Sequence, residues 1–244
     1  MDANSSTRRA RHGAAYGGPV EYDEVARSES DRGELVLRRR LDGAGASVLE
    51  LRANGVFVMD SAEHASERAL ADAGLELVEH PARVLVGGLG LGFTLDRVLG
   101  DRRVEQCDVV EIEPALVDWM RDGTIPHGRQ LLADRRARVI VADVRSAVVE
   151  AGPSSYDVVL LDVDNGPGQL VHEGNEVIYG AAFLETVREV LTPGGALVVW
   201  SAGRSPELLS DLRSMFGAAE ERAHDVRLQD RDEQYWLYVA RRAG

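Results

Sequence analysis

Lysine is absent from this chain, and all 28 basic residues are arginine. That excludes Schiff-base chemistry on a lysine amine and a phosphate-binding P-loop, both of which need one. Cysteine is almost as scarce. Cys107 stands alone, so there is no internal disulfide framework, and a reducing, cytoplasmic setting is expected. Cys107 itself reads as a small apolar residue in a strand. No run of about 18 apolar residues occurs, so no membrane span is expected. The opening "MDANSSTRRARHGAAYGG" has no apolar signal-peptide core. Positive charge is in deficit: 41 acidic residues leave a formal net charge of −13. Phosphate binding needs clustered cations, so nucleic acid is not an expected partner. The acidity is compatible with a cationic small substrate, but a merely solvated acidic surface is the better explanation of it. No Cys, His and carboxylate set has metal-ligand spacing, and no metal is expected.

What is present falls into three stretches. Residues 1–18 are small, polar and Gly-rich and read as a disordered tail. Residues 19–78 hold short apolar runs, "GELVLRRR" and "ASVLELRANGVFVM", with an Asn54-Gly55 turn that signals a hairpin. A helix follows, expected to begin near Asp60 with Glu63 completing a capping box, and to stop near Gly74. Residues 79–244 alternate strands with helices: "RVLVGG", "QCDVVEIE", "ARVIVAD", "YDVVLLD" and "GALVVWSAG" are apolar on both faces, and "QYWLYVARR" closes the chain. That pattern predicts an α/β fold with a doubly wound, mostly parallel Rossmann-like sheet, preceded by a small β-hairpin unit.

In such a sheet, ligands bind outside the carboxyl ends of the strands. The first strand ends in "GGLGLG", with Gly88, Gly90 and Gly92 allowing close backbone approach before a helix N-terminus. The second ends in Glu111, nineteen residues after Gly92, a spacing suited to ribose hydroxyls. The third ends in Asp143, placed to accept from an adenine amino group or to cap the next helix. The fourth ends in "LLDVDNGPG", which puts Asp162 and Asp164 at the tip of a buried strand. A carboxylate-lined pocket repels phosphates. It suits a phosphate-free nucleoside carrying a sulfonium cation, S-adenosylmethionine or its decarboxylated form.

With these strand ends, "RVLVGGLGLGFTLDRVL", "VVEIEP", "VADVRSAV", "YDVVLLDVDNGP" and "LTPGGALVVW" make residues 20–240 resemble the spermidine synthase-like family of class I S-adenosylmethionine-type transferases. The resemblance implies a nucleoside pocket at Gly88, Gly90, Gly92, Glu111, Asp143 and Asp162. It also implies a homodimer and a small, cationic acceptor. Departures from the family bear on the reaction. Where polyamine-making members carry an Asp in the glycine loop, this chain has Leu91. Of the family's later Asp pair, Asp162 matches the first and Asn165 falls at the second, with Asp164 just before it. The family's Gln and Tyr-x-Glu features have no clear match in "VFVMDSAEHASERAL". Methyl transfer from the intact donor is therefore the leading expectation, with Asp162 and Asp164 as catalytic carboxylates and Asp164, Asn165 and Tyr179 toward the acceptor. Aminopropyl transfer is the alternative, and a non-catalytic nucleoside-binding protein the third reading. His64 and His172 read as solvated, and Trp119, Trp200 and Trp236 as core.

Overall fold

The computed structural model of the chain describes residues 21–163, 166, 177–228 and 231–244. A front sheet comes first: β1 (Asp23–Ser30), β2 (Gly33–Leu41), β3 (Ser47–Ala53) and β4 (Val56–Asp60), antiparallel and in chain order. The turn at Asn54-Gly55 places both residues at positive φ, 51° and 76°, and pairs Ala53 with Val56. A two-residue hairpin requires that geometry. β1 has no counterpart in the sequence reading. It is an edge strand with no fully buried residue, so no apolar alternation announces it.

α1 (Ala65–Leu77) follows. The expected capping box near Asp60 does not form. Asp60 instead accepts from the amides of Ala62 and Glu63 (2.9 and 3.0 Å), which makes a turn, and His64 is the residue before the helix. The helix also continues past Gly74. A β-carbon there would lie 2.7 Å from Val158 and 2.8 Å from Leu160, so this glycine serves close helix-on-sheet packing and does not end the helix.

The larger sheet contains β5 (Arg83–Gly87), β6 (Gln106–Glu111), β7 (Ala137–Val141), β8 (Tyr156–Leu161), β9 (Leu191–Ser201), β10 (Ala219–Leu228) and β11 (Arg231–Arg241). Their spatial order is β10-β11-β9-β8-β5-β6-β7. β9, β8, β5, β6 and β7 are parallel, and β11 and β10 add an antiparallel edge. The helices are α2 (Phe93–Leu99), α3 (Pro114–Asp122), α4 (Gly128–Leu132), α5 (Val144–Ala151), α6 (Ala181–Val190) and α7 (Pro206–Phe216). The sheet is covered on both faces. Leu70 of α1, Leu95 of α2 and Met120 of α3 share one core with Leu37 and Leu51 of the front sheet. Val148 of α5, Leu184 of α6 and Leu212 of α7 form the other. This is the doubly wound architecture expected from strands apolar on both faces. No described helix is long and apolar enough to cross a membrane.

The chain leaves β5 toward β6 and β7 on one side and returns through β8 and β9 on the other. The strand order therefore reverses between β5 and β8, and the crevice outside their carboxyl ends is where such sheets bind ligands.

Candidate active site

Two cavities meet at that crevice. The larger, about 140 Å³, lies between the strand ends and the inner face of the front sheet. Gly88 and Gly90 from the β5–α2 loop, Glu111 and Ile112 from the end of β6, Asp143 after β7 and Asp162 after β8 all line it. Leu35, Leu51 and Val58 of the front sheet give it an apolar roof. The sequence thus placed five of its candidates around one cavity. Gly92 is not in its lining. That glycine precedes α2 at φ 88°, and a β-carbon there would strike Leu131 and Met120.

Gly88 shows why the first turn needs glycine. Its φ is 94°, and a β-carbon would sit 2.0 Å from the carbonyl oxygen of Asp162. The amide of Asp162 in turn donates to the carbonyl of Gly87 at 2.7 Å. The tips of β5 and β8 are therefore in direct backbone contact.

Glu111 is 7 % exposed and holds two loops together. Its Oε2 accepts from the Leu89 amide (3.0 Å) and its Oε1 from the Glu113 amide (2.8 Å). Each oxygen retains a lone pair for a ligand hydroxyl. Burial raises its pKa, and the two amide bonds oppose that. Asp143 caps α5, accepting from the Arg145 amide at 2.8 Å, and also pairs with the Arg145 guanidinium, which holds its carboxyl below the ordinary range. Arg32 supplies the positive charge of this cavity among the described lining residues, and it is bound to Glu113 at 2.8 Å. No free cation is thus offered to a phosphate among the described residues. The apolar roof and the buried acid fit a phosphate-free nucleoside.

The second cavity, about 70 Å³, opens on the far side of Asp162 and Gly90, which line both. Its walls carry Asp60, Glu63, Glu67, Trp200 and Tyr235. Sequence reasoning missed this chamber. Glu67 lies on α1, where it reads as an ordinary helix carboxylate, yet it is only 7 % exposed and its side chain accepts from Ser66 Oγ at 2.7 Å. Asp162 accepts from Thr94 Oγ1 at 3.0 Å. Neither carboxylate has an ion-pair partner among the described residues. Burial, with the Asp162 charge as the next cause, pushes Glu67 up to about 8, and burial pushes Asp162 up to about 6. Two such carboxylates titrate as a pair.

These raised values link folding to pH. Between the ordinary carboxylate range and the raised values, the folded protein binds more protons than the unfolded chain, so its stability falls as pH rises. Melting temperature without ligand is expected to drop from pH 5.5 to pH 8.5, with a clearly shallower drop in Glu67→Gln. Parallel melting curves for the two proteins across that range would rule out the buried-pair account.

Tyr179, one of the three residues expected toward the acceptor, donates its phenol to the carbonyl of Val163 at 2.5 Å and so ties the segment after β8 to the start of α6. Asp164, Asn165 and His172 lie outside the described residues. His64 departs from the solvated expectation: it packs on Phe93 with ring centroids 4.5 Å apart, and its Nδ1 is buried. Trp119 and Trp200 are buried, but Trp200 also walls the second chamber, and Trp236 is partly buried. Cys107 is fully buried in β6, where burial pushes its thiol pKa up.

Residues 63–214 match the family model described as the spermine/spermidine synthase domain. Among proteins of similar sequence, polyamine aminopropyltransferase 2 of Pseudomonas aeruginosa is 31% identical over 188 residues, which is 75% of this chain and 48% of that protein. Putrescine N-methyltransferase 3 of Nicotiana tabacum is 28% identical over 184 residues, 75% of this chain and 43% of that protein. The chain thus spans about half the length of the curated relatives it matches. Among solved structures, spermidine synthase from Thermotoga maritima superposes with a TM-score of 0.73 at 15% identity, covering 90% of this chain and 73% of that one, a likeness of fold.

Proposed function

This chain belongs to the spermine/spermidine synthase family, and from that premise we propose that it transfers a group from an S-adenosylmethionine-type sulfonium donor to a small amine, with methyl transfer as the reaction. The observation that carries this reading is the pair of cavities sharing Asp162 and Gly90. One is apolar with a buried acid suited to ribose, and the other is lined with carboxylates suited to an ammonium. In this reading residues 79–244 form the nucleoside-binding unit and the front sheet roofs it.

When bound, the donor supplies an electrophilic carbon next to a positive sulfur. Glu111 accepts from ribose hydroxyls through its remaining lone pairs, and the apolar walls take the adenine and exclude water. Asp143 stands at the cavity edge, its carboxylate already shared with Arg145. Asp162, between the cavities, takes a proton from the acceptor ammonium, so that the nitrogen lone pair is free. That nitrogen bonds to the transferred carbon as the carbon–sulfur bond breaks, and a neutral thioether leaves. Little else is asked of the protein beyond orientation and proton removal.

The preference for methyl over aminopropyl transfer rests on Leu91. It stands where polyamine-making relatives place an Asp, and it is fully buried, with its side chain in the core shared by α2 and α3. No carboxylate of the glycine loop is left to hold the amine of a decarboxylated donor. Aminopropyl transfer stays the second reading, because the acid-lined chamber serves an amine in either reaction. Calorimetry with both donors and their thioether products, followed by turnover assays, separates the two. The intact donor is expected to bind at least about tenfold tighter and to be consumed with an amine acceptor, about 1.4 kcal/mol of discrimination. Robust transfer from the decarboxylated donor alone would reverse the assignment.

A further inference from the structure

Within the transferase reading, on which this inference rests, the chamber beyond Asp162 holds a group that diamine recognition does not use. Trp200, 8 % exposed, forms part of its wall, and its indole N–H is buried with no hydrogen-bond partner among the described residues. The ring is fixed from one side by Tyr235, with centroids 4.8 Å apart. A buried donor without an acceptor is costly and, in a binding chamber, marks the place of a ligand acceptor. Indole N–H only donates, and an ammonium only donates. An ammonium therefore cannot satisfy Trp200.

The carboxylates count the same way. Asp60 is occupied: Arg40 holds its Oδ2 at 2.7 Å, and two backbone amides hold its Oδ1. Glu63 is only partly buried, so water shares its charge, and its Oε1 accepts from the Ala65 amide at 2.7 Å. Glu67 and Asp162 remain, both buried and without a cation among the described residues. Burial, with the Asp162 charge next, holds the Glu67 carboxyl up at about 8, so near neutral pH these two acids lining one chamber offer one net negative charge. One charge matches one ammonium. The chamber is also small, about 70 Å³.

We propose that the acceptor is a short monoamine whose far end carries a hydrogen-bond-accepting oxygen, an amino alcohol. Its ammonium meets the Glu67–Asp162 pair and its hydroxyl oxygen accepts from the Trp200 indole N–H. Butylamine, 4-aminobutan-1-ol and putrescine differ only at that far end and test it directly. In the wild type, kcat/KM for aminobutanol is expected to exceed that for putrescine by about tenfold, and the aminobutanol-to-butylamine ratio is expected to fall about fivefold to tenfold in Trp200→Phe, which keeps the ring and removes the N–H. S-adenosylhomocysteine affinity, measured by titration, reports folding of the variant, since Trp200 is not in the nucleoside cavity. Putrescine preferred in the wild type, or an unchanged ratio in the variant, overturns the proposal. If no amine is turned over, the transferase reading fails, and titrating the three amines into the S-adenosylhomocysteine complex still decides this one. Tightest binding of aminobutanol, weakened by Trp200→Phe, supports it, and equal or tighter binding of putrescine overturns it.

Discussion

Asp162→Asn is expected to lower turnover by about 100-fold or more, the scale of a positioned acid–base group, while leaving the protein folded and able to bind nucleoside. The substitution is nearly isosteric and keeps an oxygen that can accept from Thr94 Oγ1, the bond seen at 3.0 Å. What it removes is the ability to take a proton at the one titratable side chain that lines both cavities. Burial raises the Asp162 pKa toward neutrality, which matches a base to its task. The acid limb of kcat/KM should accordingly rise through about pH 6 in the wild type and vanish from the residual activity of the variant. Pre-steady-state rates with saturating donor and amine measure the loss of turnover, and initial rates at limiting amine across pH measure the limb. A loss of only twofold or threefold, with the acid limb intact, would remove Asp162 from the chemistry.

Glu111→Ala is expected to weaken nucleoside binding by about 100-fold or more. Each hydrogen bond to a charged acceptor contributes about 1.5–3 kcal/mol, so losing both ribose contacts reaches that range. The same change strands the amides of Leu89 and Glu113. Both belong to loops that line the donor cavity or border it, so a second loss is folded into the first: the loops lose the carboxylate that holds them in register. Glu111→Gln separates the two. It keeps an oxygen for one amide and one ribose hydroxyl, and an affinity between those of wild type and Ala is expected from titration with S-adenosylhomocysteine. Wild-type affinity in a folded Glu111→Ala variant would sink the ribose assignment.

The strand ends were legible because sheet chemistry is local. Gly88, Glu111, Asp143 and Asp162 each sit where an apolar run meets a polar or glycine turn, and parallel topology then gathers such ends on one edge. The second chamber was illegible because its wall is assembled from β4, α1, β9, β10 and β11, elements far apart in the chain. Glu67 is 95 residues from Asp162 and occupies a helix whose sequence carries acids at several positions. Only the pressing of α1 onto the sheet, permitted by Gly74, shows which of them is buried. β10 escaped notice for the reason β1 did. Its residues "AEERAHDVRL" bury Val226 alone, as the edge strand of the sheet, so pairing with β11 and not burial defines it. α4 is a single short turn of helix with two buried residues, too brief for periodicity to declare.

The division of labour between the two cavities has an evolutionary consequence. In the proposed reading, the nucleoside side draws most of its polar groups from positions 88 to 144, and the amine side from positions 57 to 67 and 200 to 235. Gly90, Val58 and Asp162 are common to both. Changes at Glu63, Glu67, Trp200 or Tyr235 can therefore retune the acceptor while the donor site stays fixed. A lineage, or a library confined to those four positions, can explore new amines without first surrendering the old electrophile.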